Sequence, residues 1–176
     1  LKRGFSPHRT RRGLLPTVKD RLCAHRRVSE PLEIKVARTH PDARMPTKGS
    51  AHAAGWDLYA LEDTEVPFRA SVKLRTGLHV AIPVGYEGQV RARSSLGSKG
   101  LILPHSIGTI DADYRGELFV LMTWIGEGDS YVVKAGERIA QLLITPIPKA
   151  AFTEVGFEEL GETVRGEGGF GSTGRF

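Results

Sequence analysis

At 176 residues, 40% hydrophobic and 26% charged, the chain has the composition of one folded domain with room for a sizeable core. The single cysteine, Cys23, excludes an intrachain disulfide, and the six scattered histidines show no CxxC or HExxH zinc spacing; the longest apolar run, LFVLMTWI over 118–125, falls far short of the roughly 20 residues that cross a bilayer. The net charge of +5 is unevenly spread: residues 1–30 hold nine Lys or Arg against Asp20 and Glu30, a balance of +7, which leaves the other 146 residues at −2.

The first thirty residues form a basic extension, expected to be flexible. Arg-rich and without an acidic residue before Asp20, it has the look of an organellar transit peptide. Two duller readings together come ahead of that one: a solvated tail with weak, non-specific nucleic-acid contact, or upstream sequence taken in by a misplaced start. With one thiol and no disulfide, the expected location is cytoplasmic, or mitochondrial or plastid if residues 1–30 are a transit peptide.

From Leu32 the pattern turns to period two. Leu32, Ile34 and Val36 alternate with Glu33, Lys35 and Ala37; Val72 and Leu74 alternate with Ser71, Lys73 and Arg75; Leu78, Val80 and Ile82 alternate with His79 and Ala81 until Pro83 stops the run. Ala54–Ala60, AGWDLYA, reads as a strand with one inward aspartate, and further strands are predicted at 88–93, 117–124, 131–133 and 138–145. Turn chemistry such as Gly126-Glu-Gly128-Asp129 separates them, and the best helix candidate is one short turn at 96–99. Many short strands without intervening helices predict an all-β antiparallel sandwich or barrel of jelly-roll type over residues 31–164. Residues 165–176, RGEGGFGSTGRF, are too rich in glycine to build a core and form a Gly-rich C-terminal arm.

Five stretches carry chemistry. In AGWDLYA the acidic group is Asp57. RARSSLGSKG sets Arg93, Ser94 and Ser95 before the short helix, either as an anion site or as an unliganded N-cap. GTIDADYRGEL holds Asp111 and Asp113 at i and i+2, on one face if extended, where a carboxylate could take a proton from water; Asp-Ala-Asp also reads as a turn, the better reading for Asp113. GERIAQLL offers Gln141 to a site and Arg138 as an ion-pair partner. The tail matches GxGxxG twice, yet no strand precedes it and no helix pattern or acidic partner accompanies it, so the match is expected to be a false positive for a dinucleotide fold. What remains is either a disordered tail or backbone amides, Ser172, Thr173 and Arg165 suited to phosphate, with Phe170 able to stack on a ring.

In this order, AGWDLYA, RSSLG, GTIDADYRG, GERIAQ and RGEGGFGSTG resemble the five motifs of the trimeric dUTP pyrophosphatases, the dUTPases, across residues 32–176. The resemblance implies a jelly-roll homotrimer with active sites at subunit interfaces. It implies magnesium-assisted hydrolysis of dUTP to dUMP and diphosphate by water attacking the α-phosphate, which keeps uracil out of DNA and supplies dUMP for dTTP synthesis. By motif, Asp111 is the implied general base, and Tyr114 packs on the deoxyribose. Gly108, Thr109 and Ile110 present main-chain groups to uracil, with His105 beside them. Arg93, Ser94, Ser95 and Gln141 meet the phosphates, and Asp57 meets Mg2+ through water. The arm closes as a lid with Arg165 toward the γ-phosphate, Phe170 over uracil, and Gly171, Ser172 and Thr173 at the phosphates.

Trp56 stands where the family usually has Tyr, Ala92 where Pro is common, Ser95 where Gly is common, and His105 where many members have Asn. The dCTP deaminases share a similar fold and an RSSxGR stretch; here Ser98 takes the place of that Arg. A jelly-roll binding protein that uses its basic extension on nucleic acid is the non-enzymatic alternative.

Overall fold

The computed structural model describes residues 31–169. The basic extension, Cys23 and the tail residues from Phe170 on lie outside the described residues. The β elements are β1 (Lys35–Arg38), β2 (Trp56–Tyr59), β3 (Thr64–Pro67), β4 (Ser71–Ala81), β5 (Tyr86–Ala92), β6 (Leu101–Ile102), β7 (Ile107–Ile110), β8 (Glu117–Trp124), β9 (Ser130–Val133) and β10 (Arg138–Pro146). One helical turn, α1 (Ser94–Gly97), follows β5, and a 3-10 turn occupies Phe157–Leu160.

Two four-stranded antiparallel sheets, ordered β1-β4-β8-β6 and β2-β10-β5-β7, enclose the core, and β3 pairs with β9 as a small third sheet. The period-two runs explain the layers. Leu74, Leu78, Leu118, Val120 and Met122 turn inward from the first sheet, while Leu58, Val90, Ile139 and Leu142 turn inward from the second. Removing each such side chain from water contributes about 1.5–3 kcal/mol, which is what holds the two layers face to face. The expected all-β antiparallel sandwich is the observed fold.

Two irregularities matter for what the sandwich presents. The runs at 72–75 and 78–82 belong to one long strand, β4, whose pairing with β8 jumps between Arg75 and His79. Gly77 sits in this bulge at φ +67°, and its amide donates to Glu117 Oε1 at 2.8 Å. Arg75 grips the same carboxylate at 3.1–3.3 Å. Burial pulls the Glu117 carboxyl up, but the Arg75 hydrogen bond, the Gly77 amide and the guanidinium charge outweigh it and hold the group below its ordinary value.

The second irregularity is in β10, where Arg138 pairs with Tyr59 but Ala140 pairs with Leu58. Ile139 is therefore an extra residue, and both Ile139 and Ala140 are buried. The bulge reverses the alternation, so that Arg138 and Gln141, three apart, lie on the same outer face of the sheet.

Candidate active site: two polar clusters on one sheet

The first cluster is built around Asp57. Register pairs Asp57 with Gln141, and Gln141 with Arg91, so these side chains share the outer face of the second sheet. Arg93 continues β5 in extended backbone, two residues beyond Arg91, and opens α1. Arg138 arrives through the β10 bulge. Their side chains converge: Arg138 Nη1 lies 3.2 Å from Asp57 Oδ2, Arg93 Nε lies 3.6 Å from Oδ1, and Gln141 Nε2 donates to Oδ1 at 3.4 Å. Arg93 Nη1 also donates to the Arg138 carbonyl at 2.9 Å. Asp57 is only 3% exposed, and its backbone is bridged to Thr47. Two guanidiniums on one carboxylate leave the cluster with an excess positive charge, beside the hydroxyls of Ser94 and Ser95 in the first turn of α1. That combination suits a polyanion.

The second cluster lies where the chain crosses from one sheet to the other. β7 is the edge of the second sheet, so the backbone groups on its far side, at Gly108, Thr109 or Ile110, have no strand partner among the described residues. His105 packs against this edge, close enough that a Cβ on Gly108 would come within 3.1 Å of its Nε2. The turn before β7 holds Ser106 at φ +68°, a strained setting for a non-glycine residue. Asp111 follows β7 directly and is exposed; among the described residues its carboxylate makes no hydrogen bond or ion pair. Ala112 and Asp113 then form a turn, as read for Asp113. Tyr114 is 40% exposed, with its hydroxyl donating to the Glu117 carbonyl at 2.9 Å. Its phenol lies so close over Gly116 that any side chain there would collide with it.

The predicted residues are thus brought together in two groups rather than one: Asp57, Arg93, Ser94, Ser95 and Gln141 in the first, His105, Gly108, Thr109, Ile110, Asp111 and Tyr114 in the second. Asp111 is level with Glu87 on β5, four residues along from the row that runs Asp57, Gln141, Arg91, Ile107. With strands about 4.8 Å apart and a rise of about 3.3 Å per residue, Asp57 and Asp111 of one chain are about 20 Å apart. Arg165 is exposed and, among the described residues, its side chain hydrogen-bonds within its own turn, to the Gly168 carbonyl at 2.9 Å. Phe170, Gly171, Ser172 and Thr173 lie outside the described residues.

Sequence reasoning named Arg138 as an ion-pair partner without finding the partner. Strict alternation sets it on the opposite face from Gln141, and only the bulge brings both to Asp57.

By architecture this is a small jelly-roll-like β-sandwich. The dUTPase family model matches residues 41–174. A deoxyuridine 5'-triphosphate nucleotidohydrolase of Syntrophotalea carbinolica is 51% identical over 146 residues, covering 81% of this chain and 97% of the relative. The Candida albicans protein of the same name is 40% identical over 163 residues, 90% of this chain and 99% of the relative. Among solved structures, the dUTPase of Staphylococcus bacteriophage 80alpha with dUPNHPP superposes with a TM-score of 0.74 at 30% identity, covering 81% of this chain and 98% of that one. A mutant dUTPase from phage phi11 of S. aureus, whose structure is described as revealing the coordination of a structural Mg(II) ion, gives 0.66 at 26% identity, covering 72% and 99%. The chain belongs to the dUTPase family.

Proposed function

We propose that this chain is a dUTP diphosphatase in which water, deprotonated by Asp111, attacks the α-phosphorus of dUTP. The new P–O bond gives dUMP, the bond to the β-phosphate breaks, and diphosphate leaves with its bridging oxygen. The observation that carries the reading is the family match over 41–174, which spans both polar clusters. The geometry supports the roles. An exposed carboxylate without a protein partner is available to water, and the open edge of β7 offers alternating N–H and C=O groups to a uracil edge. The phenol face of Tyr114, locked over Gly116, can abut a deoxyribose and leave no space for a 2′-hydroxyl. Arg93, Ser94, Ser95 and Gln141 suit the phosphates, and Arg165, Phe170, Gly171, Ser172 and Thr173 belong to an arm that would close over them.

Among the described residues no group of three His, Cys, Asp or Glu side chains could hold a metal. The one buried carboxylate among the described residues, Asp57, already has guanidiniums on both oxygens. This donor set fits magnesium carried on the substrate's phosphates, with Asp57 reaching only the waters of its shell, and does not fit a resident metal centre. A triphosphate competes for Arg93 and Arg138 and so frees Asp57 for that contact. When bound, the ion supplies charge neutralisation at the phosphates.

The spacing of the clusters supports a site shared between copies. About 20 Å between Asp57 and Asp111, from strand spacing and rise, is beyond what one nucleotide covers from its α- to its γ-phosphate. One chain would give Asp111 and Tyr114 and a second the phosphate cluster, as in a homotrimer with interfacial sites.

Diphosphate release measured side by side with dUTP, dCTP, dTTP and UTP, with and without magnesium, tests the function. Turnover confined to dUTP and dependent on magnesium is expected. Product from dCTP at a comparable rate would replace the proposal with a deaminating activity.

A further inference from the structure

His79 lies in none of the five motifs, yet among the described residues it bonds the Asp111 turn directly to β4. Residues 111–116 give no side chain to the core. The turn is held by hydrogen bonds, and nearly all of them are internal. Tyr114 N–H donates to the Asp111 carbonyl at 3.1 Å. The Arg115 guanidinium donates to the carbonyls of Ala112 and Tyr114, both at 2.7 Å, and the Tyr114 hydroxyl donates to Glu117. These bonds shape the turn without fixing where it points. Among the described residues the exception is His79 on β4, whose Nδ1 lies 2.9 Å from the Arg115 carbonyl. A carbonyl only accepts, so Nδ1 carries the proton, as it does in one neutral tautomer and in the imidazolium alike.

We propose that His79 is a positioning residue for the hydrolytic reaction: through the Arg115 carbonyl it fixes the crossover that carries Asp111 and Tyr114. The anchor is well placed for this. His79 is opposite Glu117 in the β4–β8 ladder, immediately after the Gly77 bulge, and Glu117 is itself clamped to that bulge by Arg75 and the Gly77 amide. The end of the turn is therefore gripped at two points on β4, one through a carboxylate and one through an imidazole. A turn loosened by even an ångström would carry its carboxylate away from the line of attack, and misplacements of that size are costly to catalysis. The proposal rests on the reading of Asp111 as the base.

The test compares His79→Leu, which removes the donor, with His79→Asn, whose Nδ2 is the same number of bonds from Cβ as the imidazole Nδ1. Two readouts are taken on the full-length protein: kcat and KM with magnesium and dUTP, and amide hydrogen exchange of residues 112–116. The expected result for His79→Leu is a fall in kcat of about tenfold, with KM little changed and faster exchange in the turn; His79→Asn restores both. Equal impairment of the two variants would assign the effect to ring packing and overturn the proposal, as would wild-type kcat in His79→Leu. Faster exchange with unchanged kcat would likewise overturn the positioning role, while the assignment of Asp111 stands or falls on its own substitution. Should His79→Leu fail to fold, His79→Gln takes its place, since its amide is one bond too long to put the donor where Nδ1 sits.

Discussion

Asp57 and Asp111 are both carboxylates on the second sheet or directly after it, and their surroundings are opposite. Asp57 is buried and faces Arg93, Arg138 and Gln141, so its charge is spent on organising donors. Asp111 is exposed and, among the described residues, unpaired, so its lone pairs are available to a water. Replacing it by the isosteric amide removes a proton acceptor without changing volume. Asp111→Asn is therefore expected to keep the fold and to bind dUTP, shown by calorimetry, while kcat falls about 10²–10⁴-fold, the range for loss of a general base. Near-normal turnover would remove Asp111 from that role. The sequence made Asp111 legible because its neighbours Ile110, Tyr114 and Gly116 form a recognisable stretch. His79, and the partner of Arg138, were hidden for a physical reason. Each lies across a strand pairing whose register is broken by a bulge, and a period-two reading carries no information about where a register breaks.

At the scale of elements, the alternation of apolar residues located most of the strands but joined them imperfectly. Gly77 interrupted the pattern of β4 and made one strand read as two; β3, the two-residue β6 and the four-residue β7 were too short to carry a pattern of their own. Gly77 is where the backbone, rather than a side chain, decides the structure. At φ +67° an added Cβ would lie 2.8 Å from the Ala43 Cβ, so both the conformation and the space select glycine. Gly77→Ala is expected to cost about 1–3 kcal/mol, read as a lower urea midpoint. The bulge amide also holds Glu117, so the same substitution is expected to lower kcat more than stability alone explains at temperatures where the variant stays folded. An unchanged urea midpoint would show that the bulge relaxes freely.

At the scale of the whole molecule, strand spacing and rise put the Asp57 cluster and Asp111 about 20 Å apart on one sheet face. A site shared between copies makes a specific prediction. Asp111→Asn and Arg93→Gln chains, each inactive alone, regain activity when co-expressed, because some sites draw Asp111 from one copy and Arg93 from the other. With equal amounts and random assembly about a quarter of sites receive both intact groups. Diphosphate release near that fraction of wild type is expected from the mixture, and no recovery would confine the site to a single chain. In the shared arrangement a solitary chain owns halves of two different reaction centres and completes neither. Its catalytic power is then a collective property that rises and falls with concentration: dilution past the point of dissociation extinguishes turnover, so each protomer serves as an obligatory cofactor for its neighbour.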